Sequence, residues 1–138
     1  MELSANNVSK RERDCLVYLK EDSIHGFPMR LHEIATLLRV KPPTALNIIR
    51  RLEQKKLAEA RDGMVLLTEE GDQVVKRILL VHRTYESLFC QSGESEDSAC
   101  AEAAEVDYLI SEDNAKMVLR KIGNPKVCPH GKPIPEED

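Results

Sequence analysis

The 138-residue chain has no tryptophan, and only 4% of it is aromatic. Its core must therefore be built from aliphatic side chains and alanine. No apolar run approaches the ~20 residues needed to cross a bilayer. The stretch Met1-Glu2-Leu3-Ser4-Ala5-Asn6-Asn7 lacks the basic region and apolar core of a secretory signal. A cytoplasmic location with no membrane partner is the expectation. Four cysteines, Cys15, Cys90, Cys100 and Cys128, include no CxxC pair, which argues against a zinc ribbon. Disulfides are disfavoured in a cytosolic chain, so Cys15 reads as a small core residue. There is no glycine-rich phosphate loop, nucleophile elbow or HExxH motif. His25, His32 and His130 lie far apart without a clear partner, and His32 reads as surface. The expectation is that the protein is not an enzyme.

What is present is 41% hydrophobic and 32% charged, an ordinary globular composition for one domain or two small ones. The net charge of −4 by itself argues against nucleic acid, but its distribution reverses that. From Arg39 to Arg61 there are seven basic residues against two acidic ones. From Glu94 to Asp113 there are eight acidic residues and no basic one. Local charge, not the total, sets the field that a phosphate meets. The acidic cluster reads either as a solvated surface or as a site for a cation.

The stretch Met29–Leu67 organises the chain. Leu31, Ile34, Ala35 and Leu38 recur at helical spacing, and so do Ala45, Ile48, Ile49 and Leu52. Between them stand Pro42 and Pro43, which lack a backbone N–H, so the first helix must end before Pro42 while Pro43 suits the start of a second helix, Pro43–Leu57. Apolar runs at Leu57–Ala60 and Met64–Leu67 flank Asp62-Gly63, a strong hairpin signal. Helix, sharp turn, helix and hairpin make a winged helix-turn-helix. Its second helix would expose Lys41, Thr44, Asn47, Arg51 and Gln54, residue types that reach phosphates and base edges. The plainer alternative is a helical core with a solvated polar face.

Around this stretch, Val8–Glu21 reads as a helix capped by Ser9, and Ser23–Pro28 as a loop. Thr68 caps a long helix to about Phe89, with Val74, Val75, Ile78, His82, Tyr85 and Phe89 in one stripe. A helix from about Ala99 to Ile110 and another after Ser111 follow, and a proline-rich tail starts at Lys126.

His82 and Glu86 lie four apart and point to one side of the long helix. Cys100, Ala104, Asp107, Tyr108 and Ser111 share a face of the next helix. If the two helices pack antiparallel, His82, Glu86 and Cys100 converge. Imidazole, carboxylate and thiolate are donors that a divalent transition metal takes. The alternatives are a surface ion pair for His82 and Glu86 or a core histidine at His82, and a buried apolar role for Cys100.

With these features the sequence resembles the DtxR/MntR-type metal-dependent transcriptional repressors. The resemblance is carried by the helix-turn-helix Leu31–Leu57, by Leu66-Leu67-Thr68-Glu69-Glu70-Gly71 at the end of the wing, and by His82-Arg83-Thr84-Tyr85-Glu86. Its most specific part is the tail Cys128-Pro129-His130-Gly131-Lys132-Pro133-Ile134-Pro135. It implies a mainly α fold: an N-terminal winged helix-turn-helix DNA-binding domain, 1–71, followed by a helical metal-binding and dimerisation domain, 72–138, with a proline-rich tail. It also implies a homodimer on a palindromic double-stranded DNA operator, with bound Fe(II) or Mn(II) ordering the first helix and setting the two reading heads. Ending at Asp138, the chain looks like the short form without an SH3-like domain.

Residue by residue, the expected DNA contacts are Lys41, Pro42, Pro43, Thr44, Asn47, Arg50, Arg51 and Arg61. His82 and Glu86 match the family's ancillary metal site, and Cys100 stands where the family has histidine. The primary site departs from the pattern. Arg11 or its neighbour takes the place of a first-helix ligand, Ala104 that of cysteine or glutamate, Asp107 that of glutamate, and Tyr108 that of histidine. Asp14 aligns with a first-helix glutamate of manganese-type members, so Asp14 and Glu105 are candidates for a rebuilt site. The expected regulatory metal set is His82, Glu86 and Cys100, completed by Glu102 or water, with Asp107 and Asp14 as further candidates. A thiolate favours a borderline ion, which puts Fe(II) ahead of Mn(II) and leaves Zn(II) and Co(II) open. Two other functions fit the residues: a regulator with a degenerate metal site that responds to thiol redox state through Cys90 and Cys100, and a protein-interaction module.

Overall fold

The computed structural model describes residues 7–22 and 28–135, in two compact units that divide within one helix after Val75. His25 and the expected loop apart from Pro28 lie outside the described residues.

The first unit holds helix α1 (Lys10–Glu21), strand β1 (Met29–Arg30), helices α2 (Leu31–Leu38) and α3 (Pro42–Gln54), and strands β2 (Ala58–Arg61) and β3 (Met64–Leu67). Ser9 starts α1 through a capping box. Its hydroxyl accepts from the Glu12 N–H at 3.1 Å, and Glu12 accepts from the Ser9 N–H at 3.0 Å. The helix buries Cys15, Leu16 and Leu19. Ile34 and Ala35 of α2 and Ala45, Ile48, Ile49 and Leu52 of α3 complete the aliphatic core anticipated from their spacing.

The helix-to-helix turn is tighter than expected. Arg39 takes a left-handed conformation at φ 57°, and the Val40 N–H reaches back to the Ala35 carbonyl at 3.0 Å. This ends α2 in the manner usually given to glycine or asparagine. Pro42, not Pro43, then opens α3, since its absent N–H would have been unpaired there in any case. The helix ends at Gln54, not Leu57, and Leu57 is fully buried on the way into β2.

Asp62 (φ 51°) and Gly63 (φ 77°) form the two-residue hairpin turn with both residues left-handed. The sheet has the order β1-β3-β2, all antiparallel, with Arg61 and Arg30 both opposite Met64. The two-residue strand β1 was not anticipated, because so short a strand shows no periodicity.

Helix α4 (Glu69–Gln91) starts beneath the wing. Thr68 caps it, accepting from the Gly71 N–H at 3.0 Å, while its own N–H donates to the Leu57 carbonyl at 3.1 Å. A Cβ on Gly71 would lie 1.9 Å from the Leu57 oxygen, so glycine is the residue that lets α4 start this close to the wing.

The second unit comprises the rest of α4, helices α5 (Glu96–Val106) and α6 (Glu112–Lys121), and the segment that follows. Ile78, Leu79, Leu80 and Val81 are all buried, so α4 is covered on every side there. Helix α5 starts before the expected Ala99, because Ser95 caps it by accepting from the Ser98 N–H at 3.2 Å. It also ends before the expected Ile110, and Leu109 is exposed. Ser111 caps α6 as anticipated, at 3.1 Å from the Asn114 N–H.

The proline-rich tail folds into a hairpin. The Cys128 N–H donates to the Lys132 carbonyl at 2.8 Å, and the Ile134 N–H to the Lys126 carbonyl at 2.9 Å. Gly131 makes the turn with φ 82°. Arg83 of α4 holds the strap, donating to the Pro133 carbonyl at 2.5 Å, and Cys128 and Ile134 are buried.

Candidate DNA-reading helix and metal centre

In the first unit, α3 buries one face and leaves the other open. Lys41, Pro42, Pro43, Asn47, Arg50 and Arg51 are exposed, and Thr44 is half-buried. Pro43, Asn47, Arg50 and Gln54 follow one another at helical spacing on the open side. Two of the cations meet an acid that the sequence did not disclose. Glu12, 2% exposed, lies 2.6 Å from Lys55 Nζ and 3.5 Å from Arg51 Nε. The capping-box carboxylate therefore also anchors the end of α3. On the wing, Arg61 is exposed and donates to Glu59 through Nη2 at 2.9 Å and Nε at 3.1 Å.

In the second unit, His82 and Glu86 face one way from α4, as their spacing requires. His82 Nε2 lies 3.5 Å from Cys100 Sγ of α5, and one ligand atom from each of His82, Glu86 and Cys100 falls within 4.8 Å of the others. The expected triad is thus brought together.

The other expected ligands are placed elsewhere. Asp107 sits behind His82, its Oδ2 2.9 Å from Nδ1, with a fully buried side chain. That is the geometry of a carboxylate that orients an imidazole. Glu102 is exposed, and its carboxyl is pushed up by a hydrogen bond with Glu94 and by that neighbour's charge. Asp14 pairs with Lys10 at 2.7 Å and Arg13 at 3.0 Å. Arg11 and Glu105 are exposed, and Ala104 and Tyr108 half-buried.

A second donor set was missed. Glu86, Cys128 and His130 also place ligand atoms within 4.8 Å of one another. His130 Nδ1 lies 2.5 Å from Glu86 Oε2, and its Nε2 3.4 Å from Asp97 Oδ1. The hydrogen bond to Glu86 is the main reason that the His130 imidazole is pushed up. Asp97 adds to the rise, and desolvation opposes it. Both residues were already visible in the CPHG tail segment. What the sequence could not supply was the hairpin that lays them against α4.

The donor chemistry fits a divalent transition metal: two imidazoles, two thiols and a carboxylate only 1% exposed. A carboxylate so deeply buried needs a positive partner. The Cys90 thiol, half-buried, is pushed up by desolvation and by the charges of Glu86, Glu96 and Glu94. Among the described residues no helix is long and apolar enough to cross a membrane.

A winged helix with an open cationic helix, followed by a helical unit gathering metal-type donors, defines the class of winged-helix proteins with an appended metal-binding region. The chain belongs to the DtxR/MntR family, since residues 68–136 match the family model for the iron dependent repressor, metal binding and dimerisation domain.

An uncharacterized HTH-type transcriptional regulator of Aeropyrum pernix is 33% identical over 86% of this chain and 66% of its own length. The iron-dependent repressor IdeR of Mycobacterium tuberculosis is 31% identical over 78% of this chain and 47% of its own. The chain therefore spans about two thirds of the first relative and about half of the second. A solved manganese-dependent transcriptional repressor in complex with manganese superposes with a TM-score of 0.81, at 26% identity over 92% of this chain and 59% of its own. These names are those of regulators, not enzymes.

Proposed function

We propose that the protein is a divalent-metal-dependent DNA-binding transcriptional repressor, iron-responsive, that acts as a homodimer on a palindromic operator and controls genes of metal uptake or homeostasis. The observation that carries this reading is Glu86, buried within reach of His82, Cys100, Cys128 and His130, in a chain whose other unit presents an open cationic helix. Two thiol donors favour a borderline ion, which ranks Fe(II) before Mn(II) and keeps Zn(II) and Co(II) as competitors. The similarity to IdeR supports iron, and the likeness to the manganese-bound repressor keeps manganese in play.

The mechanism is linkage. A metal that binds the DNA-competent arrangement more tightly raises DNA affinity, and DNA raises metal affinity by the same factor. Asp107 fixes the His82 ring so that Nε2 is presented towards Cys100. Lys41, Thr44, Asn47 and Arg50 lie on the open side of α3, where they meet phosphates and base edges; Arg51 reaches phosphate by turning its exposed guanidinium, and Arg61 by leaving Glu59. Pro42 and Pro43 set the start of the reading helix.

The test is anaerobic gel-shift titration with Fe(II), with Mn(II) and with chelator. Binding that appears with metal and vanishes with chelator supports the proposal. Binding that ignores metal would sink it.

A further inference from the structure

We infer that Glu86 bridges two divalent cations, one held with His82 and Cys100 and the other with Cys128 and His130. The inference rests on the metal-dependent reading above and extends it from one ion to a coupled pair.

Glu86 is the only residue common to the two donor triads. A carboxylate has two oxygens and about four lone-pair directions, enough to serve two ions at once. In two-metal sites the ions lie about 3.5–4 Å apart, a span that one bridging carboxylate covers. At 1% exposure, Glu86 has almost no water for an oxygen left without a cation.

The two sides are built alike. Each has one thiol and one imidazole, and each imidazole is backed by a carboxylate on its far nitrogen. Asp107 is 2.9 Å from His82 Nδ1, and Asp97 is 3.4 Å from His130 Nε2. Such backing orients a metal-binding histidine; Asp107 supplies it from a buried position and Asp97 from the exposed rim.

Charge also favours two ions. Once both thiols have released their protons to water, Glu86, Cys100, Cys128 and Asp107 are four negative groups around one centre. Two divalent cations neutralise them, whereas one leaves half of that charge uncompensated beside a buried carboxylate.

The experiment uses the full chain, stripped with chelator and reloaded anaerobically with Mn(II). Bound metal is measured by elemental analysis and calorimetry, and its spin coupling by electron paramagnetic resonance. The expected result is two ions per chain with an exchange-coupled spectrum. Cys100→Ser and Cys128→Ser should each retain one ion with an uncoupled spectrum. The wild-type spectrum decides the matter even if a variant fails to fold.

One ion per chain, or two uncoupled ions, overturns the bridge. Metal-stimulated DNA binding measured on the same samples would then leave the repressor function standing. Absence of any bound ion overturns both.

Discussion

His82 has a different partner on each ring nitrogen, and the pair assigns its tautomer. Nδ1 faces the Asp107 carboxylate and carries the proton, which leaves the Nε2 lone pair directed at Cys100. Asp107→Asn removes the charge with little change of shape. It is expected to weaken metal binding by about 10–100-fold, the usual loss for such an orienting residue. Competition with a chelating dye measures this, and unchanged affinity would remove Asp107 from the site. Cys15 makes a contrasting case. Burial, helped by Asp14 and Glu12, pushes its thiol up to about 12, so almost no thiolate exists at neutral pH. Native protein treated with an alkylating reagent should stay unmodified at Cys15 and become labelled there on unfolding, as read by peptide mass spectrometry. Rapid labelling of the native fold would contradict the burial.

At the scale of elements, two contacts decide how the reading unit is held. The first is Gly71 against Leu57. In an open helix alanine is preferred to glycine by about 1 kcal/mol. Here the added methyl would meet a backbone carbonyl at 1.9 Å, and a backbone atom cannot swing aside as a side chain does. Gly71→Ala is therefore expected to destabilise the protein by about 1–3 kcal/mol, the ordinary cost of overpacking. A lower urea midpoint would show it, and a higher one would mean that α4 can move off the wing. The second contact is Glu12 against α3. Lys55 and Arg51 share this one carboxylate, Arg51 through Nε at 3.5 Å, so Arg51 can still turn its exposed guanidinium to phosphate. If Arg51 does so, Arg51→Ala should weaken operator binding and lower its salt slope by about 0.9. An unchanged slope would mean that Glu12 keeps Arg51 in the DNA complex too.

At the scale of the molecule, metal bound only by the folded state must stabilise it. Free ion at a hundredfold excess over its dissociation constant adds about 2.7 kcal/mol for one site. Thermal unfolding should rise with Mn(II), fall back with chelator, and lose the response in Glu86→Gln. An unfolding temperature indifferent to metal in the wild type would count against the whole centre.

The helix-turn-helix, the hairpin at Asp62-Gly63 and the caps at Ser9, Thr68 and Ser111 were legible in the sequence. Each depends on residues within a few positions of one another, where spacing and hydrogen-bonding chemistry act directly. The approach of His82, Glu86 and Cys100 was legible too, since two adjacent helices allow few ways to pack. The tertiary structure decided the rest. Asp107 meets His82 Nδ1 because α5 ends at Val106 and its cap turns the carboxylate inward. Glu12 binds α3 because its side chain, already tied to the Ser9 N–H, has no exit to solvent. Cys128 and His130 reach Glu86 only because a proline-rich hairpin is strapped to α4 by Arg83 through the Pro133 carbonyl. Contacts made by backbone carbonyls across such distances leave no periodic mark on a chain. The amino-acid order alone therefore specified the winged helix-turn-helix and the approach of His82, Glu86 and Cys100, while long-range packing brought Cys128 and His130 to Glu86.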